Sequence, residues 1–268
     1  MSFGHIDEKQ RLLAERLMLA VALPGVAGAV NASGFLVVGS YTSHVTGQVA
    51  RFGDALAQDQ PSQAQAAVLL VVLFFLGAFT ATALIERAKR VLRARYTVPL
   101  LVEAAALLVY AWGAHGHLSE SRALQLSALL CFSMGLQNAL VTRISGAVVR
   151  TTHLTGIVTD LGIESVRAVV WMRDRLRERS VFRAGELVSL FLADPEWKRL
   201  RLHTSIFASF ASGAVIGPQL FIHFGQIAML LPCGVLTVLA AFDFLTGLRT
   251  RDDSDHEDHR GLPAMAKK

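Results

Sequence analysis

Six long runs of uncharged, apolar residues dominate this sequence. They cover 17–39, 66–85, 97–114, 123–141, 204–224 and 226–245, and only Glu103 and Asp243 interrupt them. A helix needs about 20 apolar residues to cross the hydrocarbon core of a bilayer. Ten-residue blocks of alternating polarity are absent, so helices rather than a closed barrel must satisfy the backbone in lipid. The sequence therefore predicts an all-α, polytopic membrane protein with six transmembrane helices.

Composition agrees with this fold class. Of the 268 residues, 53% are apolar and 18% are charged, which leaves no room for a large soluble domain beside six spans. The net charge of +5 is expected to mark cytoplasmic loops rather than nucleic-acid binding. Cys131 and Cys233 lie inside apolar runs, so they are expected to be core residues without a disulfide.

Lys and Arg accumulate in two of the connecting segments and predict the orientation. One set follows the second span: Arg87, Lys89, Arg90, Arg93 and Arg95. Another follows the fourth span: Arg143, Arg150, Arg167, Arg173, Arg175, Arg177, Arg179 and Arg183. Such loops stay in the cytoplasm. This orientation puts both termini, including the segment 1–16, on the cytoplasmic side of a bacterial inner membrane. The competing interpretation is a cleaved secretory signal that ends near Ala27-Gly28-Ala29.

A motif from the first half of the chain recurs in the second half. Gly28-Ala29-Val30-Asn31, His44-Val45-Thr46-Gly47 and Gly77 match Gly135-Leu136-Gln137-Asn138, His153-Leu154-Thr155-Gly156 and Gly213. The repeats are predicted at 17–118 and 119–248. Each holds three spans, and an odd number of spans turns the second copy upside down relative to the first.

The repeated polar residues are the candidate substrate-binding site. Small and polar side chains share one helix face around Asn31 and another around Asn138, which suits either helix packing or a polar path. The two His-x-Thr-Gly segments suit either a broken helix at a substrate site or an interfacial turn. The candidate residues are Asn31, His44, Thr46, Gly47, Asn138, His153, Thr155 and Gly156.

These motifs resemble the YoaK-like family of bacterial membrane proteins. The resemblance rests on Gly135-Leu136-Gln137-Asn138, on the segment from Thr151 to Gly156, and on Thr46-Gly47. It spans 17–248 and implies a multi-span membrane protein of uncharacterised function, with no catalytic residues. The chain departs from the family pattern at Asn31, Val45, Gln48 and Leu154, where the resemblance implies an acid, Met, Asn and Met.

Glu103 is a carboxyl inside an apolar run, where a charge is costly unless it is paired or lies in a wet cavity. Arg143 and Asp243 are predicted on the same side of the membrane. A structural ion pair among these three residues and proton coupling through Glu103 are the two interpretations.

Two further segments are expected at the cytoplasmic surface. The stretch 164–201 mixes apolar residues with many Arg and predicts amphipathic helices on the anionic inner leaflet. The tail 249–268 contains a cluster of Asp, Glu and His residues at 252–259 and is expected to be disordered rather than to bind a metal.

These patterns favour a small-molecule permease or secondary transporter in the lipid bilayer. A structural or assembly protein, dimeric through its glycine faces, is the first alternative. A membrane-embedded enzyme is the second, although neither His-Glu-x-x-His nor Gly-x-Ser-x-Gly occurs. No catalytic residue, metal site, cofactor or nucleic-acid partner is expected, and no motif identifies the substrate.

Overall fold

Eight α-helices make up the described part of the chain. The structure, a computed structural model, describes residues 3–91, 94–116, 119–144, 154–178 and 197–246, and no strand occurs in these ranges. The helices are α1 (Phe3–Val38), α2 (Val45–Ala57), α3 (Pro61–Val91), α4 (Thr97–Gly113), α5 (Glu120–Ile144), α6 (Leu154–Glu178), α7 (Lys198–Phe224) and α8 (Leu230–Thr246). His153, the tail 249–268 and residues 179–196 of the expected surface segment lie outside the described residues.

Four stretches of the described chain are long and apolar enough to cross a membrane: Val21–Val38, Pro61–Lys89, Glu120–Ile144 and Arg199–Leu245. The last stretch contains both α7 and α8, which are joined by a 3-10 turn at Gly225–Met229. The remaining apolar helix, α4, is shorter, with 17 residues. Large apolar side chains such as Phe75 and Val238 are about two-thirds exposed on the outer surface. Lipid can cover such a surface, so the fold is that of an all-α membrane protein.

Glycines bring two pairs of helices into backbone contact. A Cβ on Gly28 of α1 would overlap the carbonyl oxygen of Phe210 in α7, and one on Gly135 of α5 would overlap that of Phe74 in α3. Conversely, a Cβ on Gly213 would overlap the carbonyl of Gly25. Small residues allow this approach, which supplies van der Waals contact between helices in lipid. The glycine faces that were candidates for a dimer interface are thus packed within the chain.

The crossing of α3 with α5 matches the crossing of α1 with α7 residue for residue. Gly77 in α3 meets Phe132 and Leu136 of α5, while Gly213 in α7 meets Gly25 and Ala29 of α1. Under the sequence alignment that pairs Gly28 with Gly135, Gly25 pairs with Phe132 and Ala29 with Leu136. The contacts of α1 with α7 are therefore the counterpart of the contacts of α5 with α3.

Pairs of contacts at different heights give the helix directions. On α1, Leu23 lies beside Gln137 of α5 and Gly34 beside Leu130, so α1 and α5 are antiparallel. On α4, Thr97 contacts Asp243 and Ala114 contacts Gln226, so α4 and α8 are antiparallel too. In contrast, contacts of α1 with α7 advance together along both chains, from Val21 with Ser209 to Ala29 with Gly217, so these helices are parallel.

Candidate functional site

The segment after α1 turns back along that helix. Gly39 has a φ of 67°, a left-handed conformation that suits glycine, and it ends α1. Ser43 then donates both its backbone N–H and its hydroxyl to Oδ1 of Asn31, at 3.2 and 3.1 Å. Asn31 lies seven residues before the end of α1, or about 10 Å along the helix. The predicted His-x-Thr-Gly segment is thus reached after a return of the chain along α1.

The amino end of α2 is built around His44 and Gly47. His44 precedes the helix and makes no side-chain capping hydrogen bond. A Cβ on Gly47 would lie 2.6 Å from Nδ1 of His44, so glycine at this position makes room for the imidazole. His44 and Thr46 are exposed. The spacing of His and Gly in this motif therefore has a steric basis in the first copy.

Buried polar atoms without partners accompany this turn. Thr42 and Gln48 are 2% and 6% exposed, and neither Oγ1 of Thr42 nor Oε1 of Gln48 has a hydrogen-bond partner in the described part of the chain. Nε2 of Gln48 donates to the hydroxyl of Ser40 at 3.0 Å. Such unsatisfied groups are rare in proteins and call for a ligand, water or ion. Neither Thr42 nor Gln48 is among the substrate-binding residues predicted from the sequence. Gln48 could have been recognised as a polar residue on an otherwise apolar helix face.

In the second copy, the helix after the motif also packs against the next long helix. His203 of α7 lies 3.3 Å from Glu164 of α6, and Trp171 of α6 packs against Trp197 at the start of α7, so α6 runs back along α7. In the first copy, α2 packs against α3, and the two helices line one groove.

Asn138 occupies the matching place on α5. It is 8% exposed, and its Nδ2 donates to the carbonyl oxygen of Met134 at 2.8 Å. Asn31 and Asn138 thus each lie one helical turn beyond a glycine crossing, at Gly28 and Gly135. Each is followed by a segment that leads to a short or amphipathic helix packed against the next long one.

A family profile described as a protein of unknown function (DUF1275) matches residues 19–242. The chain belongs to this family. The match covers both copies of the motif and ends within α8, and it is consistent with the resemblance to YoaK-like proteins. Neither characterised proteins nor solved structures give a significant match. Membership therefore establishes kinship over most of the chain and supplies no activity.

In this family member, the structure does not bring Glu103, Arg143 and Asp243 together. Arg143 pairs with Glu86 at 3.2 Å, and both side chains are well exposed. Oδ2 of Asp243 accepts hydrogen bonds from the backbone N–H groups of Tyr96 and Thr97 and from the Thr97 hydroxyl, at 2.9, 2.7 and 2.7 Å. Asp243 therefore caps the start of α4. The predicted ion pair with Glu103 does not form among the described residues.

Glu103 is fully buried in the middle of α4. Neither of its carboxyl oxygens has a hydrogen-bond partner in the described chain. The Cys233 thiol of α8 donates to the carbonyl oxygen of the adjacent Ala104 at 3.6 Å. The described residues hold no group of three His, Cys, Asp or Glu that could bind a metal ion.

A groove of about 360 Å³ lies on the surface where α1, α7 and α8 meet. On α1 it is lined by small side chains, among them Ala22, Gly25, Ala29 and Ser33. At the matched positions α5 carries Leu129, Phe132, Leu136 and Leu140. The groove therefore marks a place where the side chains of the two halves differ in size, although their glycine crossings agree.

Proposed function

We propose that this protein is a six-span permease of the inner membrane, built from two inverted three-helix repeats, which moves a small polar or anionic solute between its halves. The spans are α1, α3, α4, α5, α7 and α8. The helices α2 and α6 are the re-entrant elements of the first and second repeat. Each repeat holds its Asn-bearing span and the next two spans, as the divisions 17–118 and 119–248 predict.

Helix directions support the inversion. Helices related by a two-fold axis in the membrane plane must be antiparallel, and both α1 with α5 and α4 with α8 run in opposite directions. The matched glycine crossings are a second, independent support. The directions of α1, α5 and α7 also fit six alternating spans, since α5 is antiparallel to α1 and α7 is parallel to it.

The distribution of charge supports an orientation with both termini in the cytoplasm. Most described Lys and Arg residues of the long helices cluster at the end of the bundle where α3 and α5 finish and α7 begins: Arg87, Lys89, Arg95, Arg143, Arg199 and Arg201. The opposite end has only Arg51 and Arg122. Cytoplasmic loops retain Lys and Arg, so the first end is assigned to the cytoplasm.

The observation that carries the transport proposal is the return of the chain from Gly39 to His44. It brings the amino end of α2 beside Asn31, close to the level of the glycine crossings. The first amides of a helix carry partial positive charge, and His44 does not cap them with its side chain. Transporters with inverted repeats bind substrate at such helix ends. This arrangement favours an anionic or strongly polar solute.

Transport can be tested before the solute is identified. The full chain is reconstituted in proteoliposomes that are loaded with a polar extract of bacterial cells, and the solutes that leave are identified by mass spectrometry. We expect a small set of solutes to leave only the vesicles that contain protein. Asn31→Leu, His44→Ala and His153→Ala should each reduce this efflux strongly while the protein stays monodisperse in detergent.

Val238→Leu is the control because Val238 is exposed on the outer face of α8 and belongs to neither motif. Its efflux should equal that of the wild type. If no solute leaves faster than from protein-free vesicles, or if the His44 and Asn31 variants are fully active, the assignment of this site to transport is wrong. The structural or assembly role is then the better interpretation.

A further inference from the structure

Glu103 lies at the centre of the bundle. It is the seventh of the 17 residues of α4. The antiparallel neighbour α8 contacts the start of α4 through Asp243, its middle through Cys233 and its end through the turn that holds Gln226. At this height α4 packs against α8, and the side chain of Glu103 is inaccessible to solvent.

A second buried polar group lies on the neighbouring helix α5, which packs against α4. Where α4 ends and α5 begins, a Cβ on Gly113 would lie 2.8 Å from Cδ2 of Leu126. Further along α5, Gln137 is fully buried, and its Nε2 donates to the Leu23 carbonyl oxygen. Its Oε1 accepts no hydrogen bond from the described residues.

On the two adjacent helices α4 and α5, three oxygen atoms that can accept a hydrogen bond are thus buried without a donor among the described residues: both carboxyl oxygens of Glu103 and Oε1 of Gln137. An unpaired carboxylate in apolar surroundings is costly, and so is an unsatisfied carbonyl oxygen. One proton on Glu103 removes the charge and creates an O–H donor. A metal ion would need several more oxygen ligands than this place offers.

In the described residues of the helices that pack against α4, the other acids lie near the helix ends. From α8, the Cys233 thiol donates to the carbonyl oxygen of Ala104, the residue next to Glu103, whereas Asp243 is occupied at the start of α4. From α5 the buried titratable group is Cys131. The described charges of α3 lie near its end, at Glu86, Arg87 and Lys89, and the 3-10 turn has none. On α4 itself, Tyr110 lies two turns further along the same buried face.

We propose that Glu103 is the proton-binding residue of this protein, which takes up and releases one proton at the centre of the membrane, and that Gln137 accepts the hydrogen bond of the protonated form. The role of this proton rests on the proposed permease function. A proton that binds midway across the membrane can couple solute movement to the proton gradient. The chemistry of the site does not depend on which solute moves.

The first test asks whether Glu103 is a protonated acid in lipid. The full chain in lipid nanodiscs is treated with N,N′-dicyclohexylcarbodiimide, which reacts with protonated carboxyl groups in apolar surroundings, and the modified peptide is identified by mass spectrometry. We expect modification at Glu103 and its loss in Glu103→Gln. Glu86→Gln, which removes an exposed carboxyl, should leave the modification unchanged. An unmodified Glu103 in the wild-type protein would overturn the proposal.

The second test asks whether the proton can leave. The infrared carbonyl band of a protonated carboxyl group shifts when the proton is replaced by deuterium. We expect a band that is absent from Glu103→Gln, displaced in Gln137→Leu and shifted in the folded protein after transfer to D₂O. A band that does not shift until the protein unfolds would show a sealed structural acid and refute proton exchange.

The two proposals can fail separately. A positive result at Glu103 without solute efflux from the extract-loaded vesicles leaves a proton-binding membrane protein that is not a permease. Solute efflux that is unchanged in Glu103→Gln, with an unreactive Glu103, leaves a permease without this proton site. If Glu103→Gln does not fold, the carbodiimide and infrared measurements on the wild-type protein alone still decide.

Discussion

At the residue scale, glycines in this protein have two different environments. At Gly28 and Gly135 a Cβ would overlap a backbone carbonyl of the neighbouring helix, so no side-chain rotation can relieve the contact. At Gly53 and Gly162, within α2 and α6, a Cβ would meet nothing. The first pair is therefore required by the helix crossings, whereas the second pair is tolerated by open space.

This difference predicts opposite effects of Gly→Ala substitution. Gly28→Ala and Gly135→Ala should each lower the free energy of unfolding by about 1–3 kcal/mol, because the helices must move apart. The two losses should be similar, since the crossings match. Thermal unfolding in detergent, followed by circular dichroism, measures both.

The control is Gly53→Ala, which should leave stability unchanged or raise it by up to about 1 kcal/mol, because Ala favours helix over Gly. A Gly28→Ala variant as stable as Gly53→Ala would show that the close crossing of α1 and α7 does not exist in the protein.

At the scale of the elements, the apolar runs were sufficient to locate the long helices. The helices that follow the two His-x-Thr-Gly segments extend over Val45–Ala57 and Leu154–Glu178. The return from Gly39 to Ser43 could not be predicted, because turn residues of this kind carry no periodicity. The hydrogen-bond partner of Asp243 could not be predicted either. Thr97 is distant in sequence, and only the antiparallel packing of α4 and α8 brings the two residues together.

The cap that Asp243 provides predicts a specific loss of stability. Three donors at the start of α4 lose their acceptor in Asp243→Ala, so the free energy of unfolding should fall by about 1–2 kcal/mol. Asp243→Asn keeps an oxygen acceptor and should lose less. Asp54→Ala, at an exposed position on α2, should have little effect. Chemical unfolding in detergent ranks the three variants, and equal stability of Asp243→Ala and the wild type would contradict the capping role.

The carboxyl end of α6 is predicted to interact with anionic lipid. Trp171 of α6 packs edge-on against Trp197 at the start of α7, with ring centroids 5.7 Å apart. Arg173 and Arg177 follow this contact and are exposed, so they are expected to reach the anionic headgroups of the inner leaflet. Replacing both by Gln should remove much of the gain in melting temperature on going from phosphatidylcholine to phosphatidylglycerol nanodiscs.

The double variant Arg51→Gln/Arg122→Gln, at the other end of the bundle, serves as the comparison because it also removes two exposed cations. If the two double variants lose the same lipid dependence, general charge rather than this helix end determines the preference.

At the scale of the whole molecule, the internal repeat and the loop charges were the two features that the sequence offered for topology. The repeat anticipated which glycines match, because Gly77 and Gly213 lie at matched crossings. It could not anticipate the groove beside α1, which depends on side chains that differ between the halves, such as Gly25 and Phe132. Side-chain size at matched positions is free to diverge as long as the backbone contacts at the glycines remain.

The proposed topology predicts which ends of the bundle a reagent reaches from outside the cell. Cys131 and Cys233 are buried, so an introduced cysteine can be labelled against a low background. Ile227→Cys, in the exposed turn between α7 and α8, should react with a membrane-impermeant maleimide in intact cells. Arg199→Cys, at the exposed start of α7, should react only after the membrane is opened. The two sites bracket one span, so their opposite behaviour fixes the direction of α7. Because α7 is parallel to α1 and opposite to α5, that direction sets the orientation of the whole bundle, and labelling of Arg199→Cys in intact cells would reverse it.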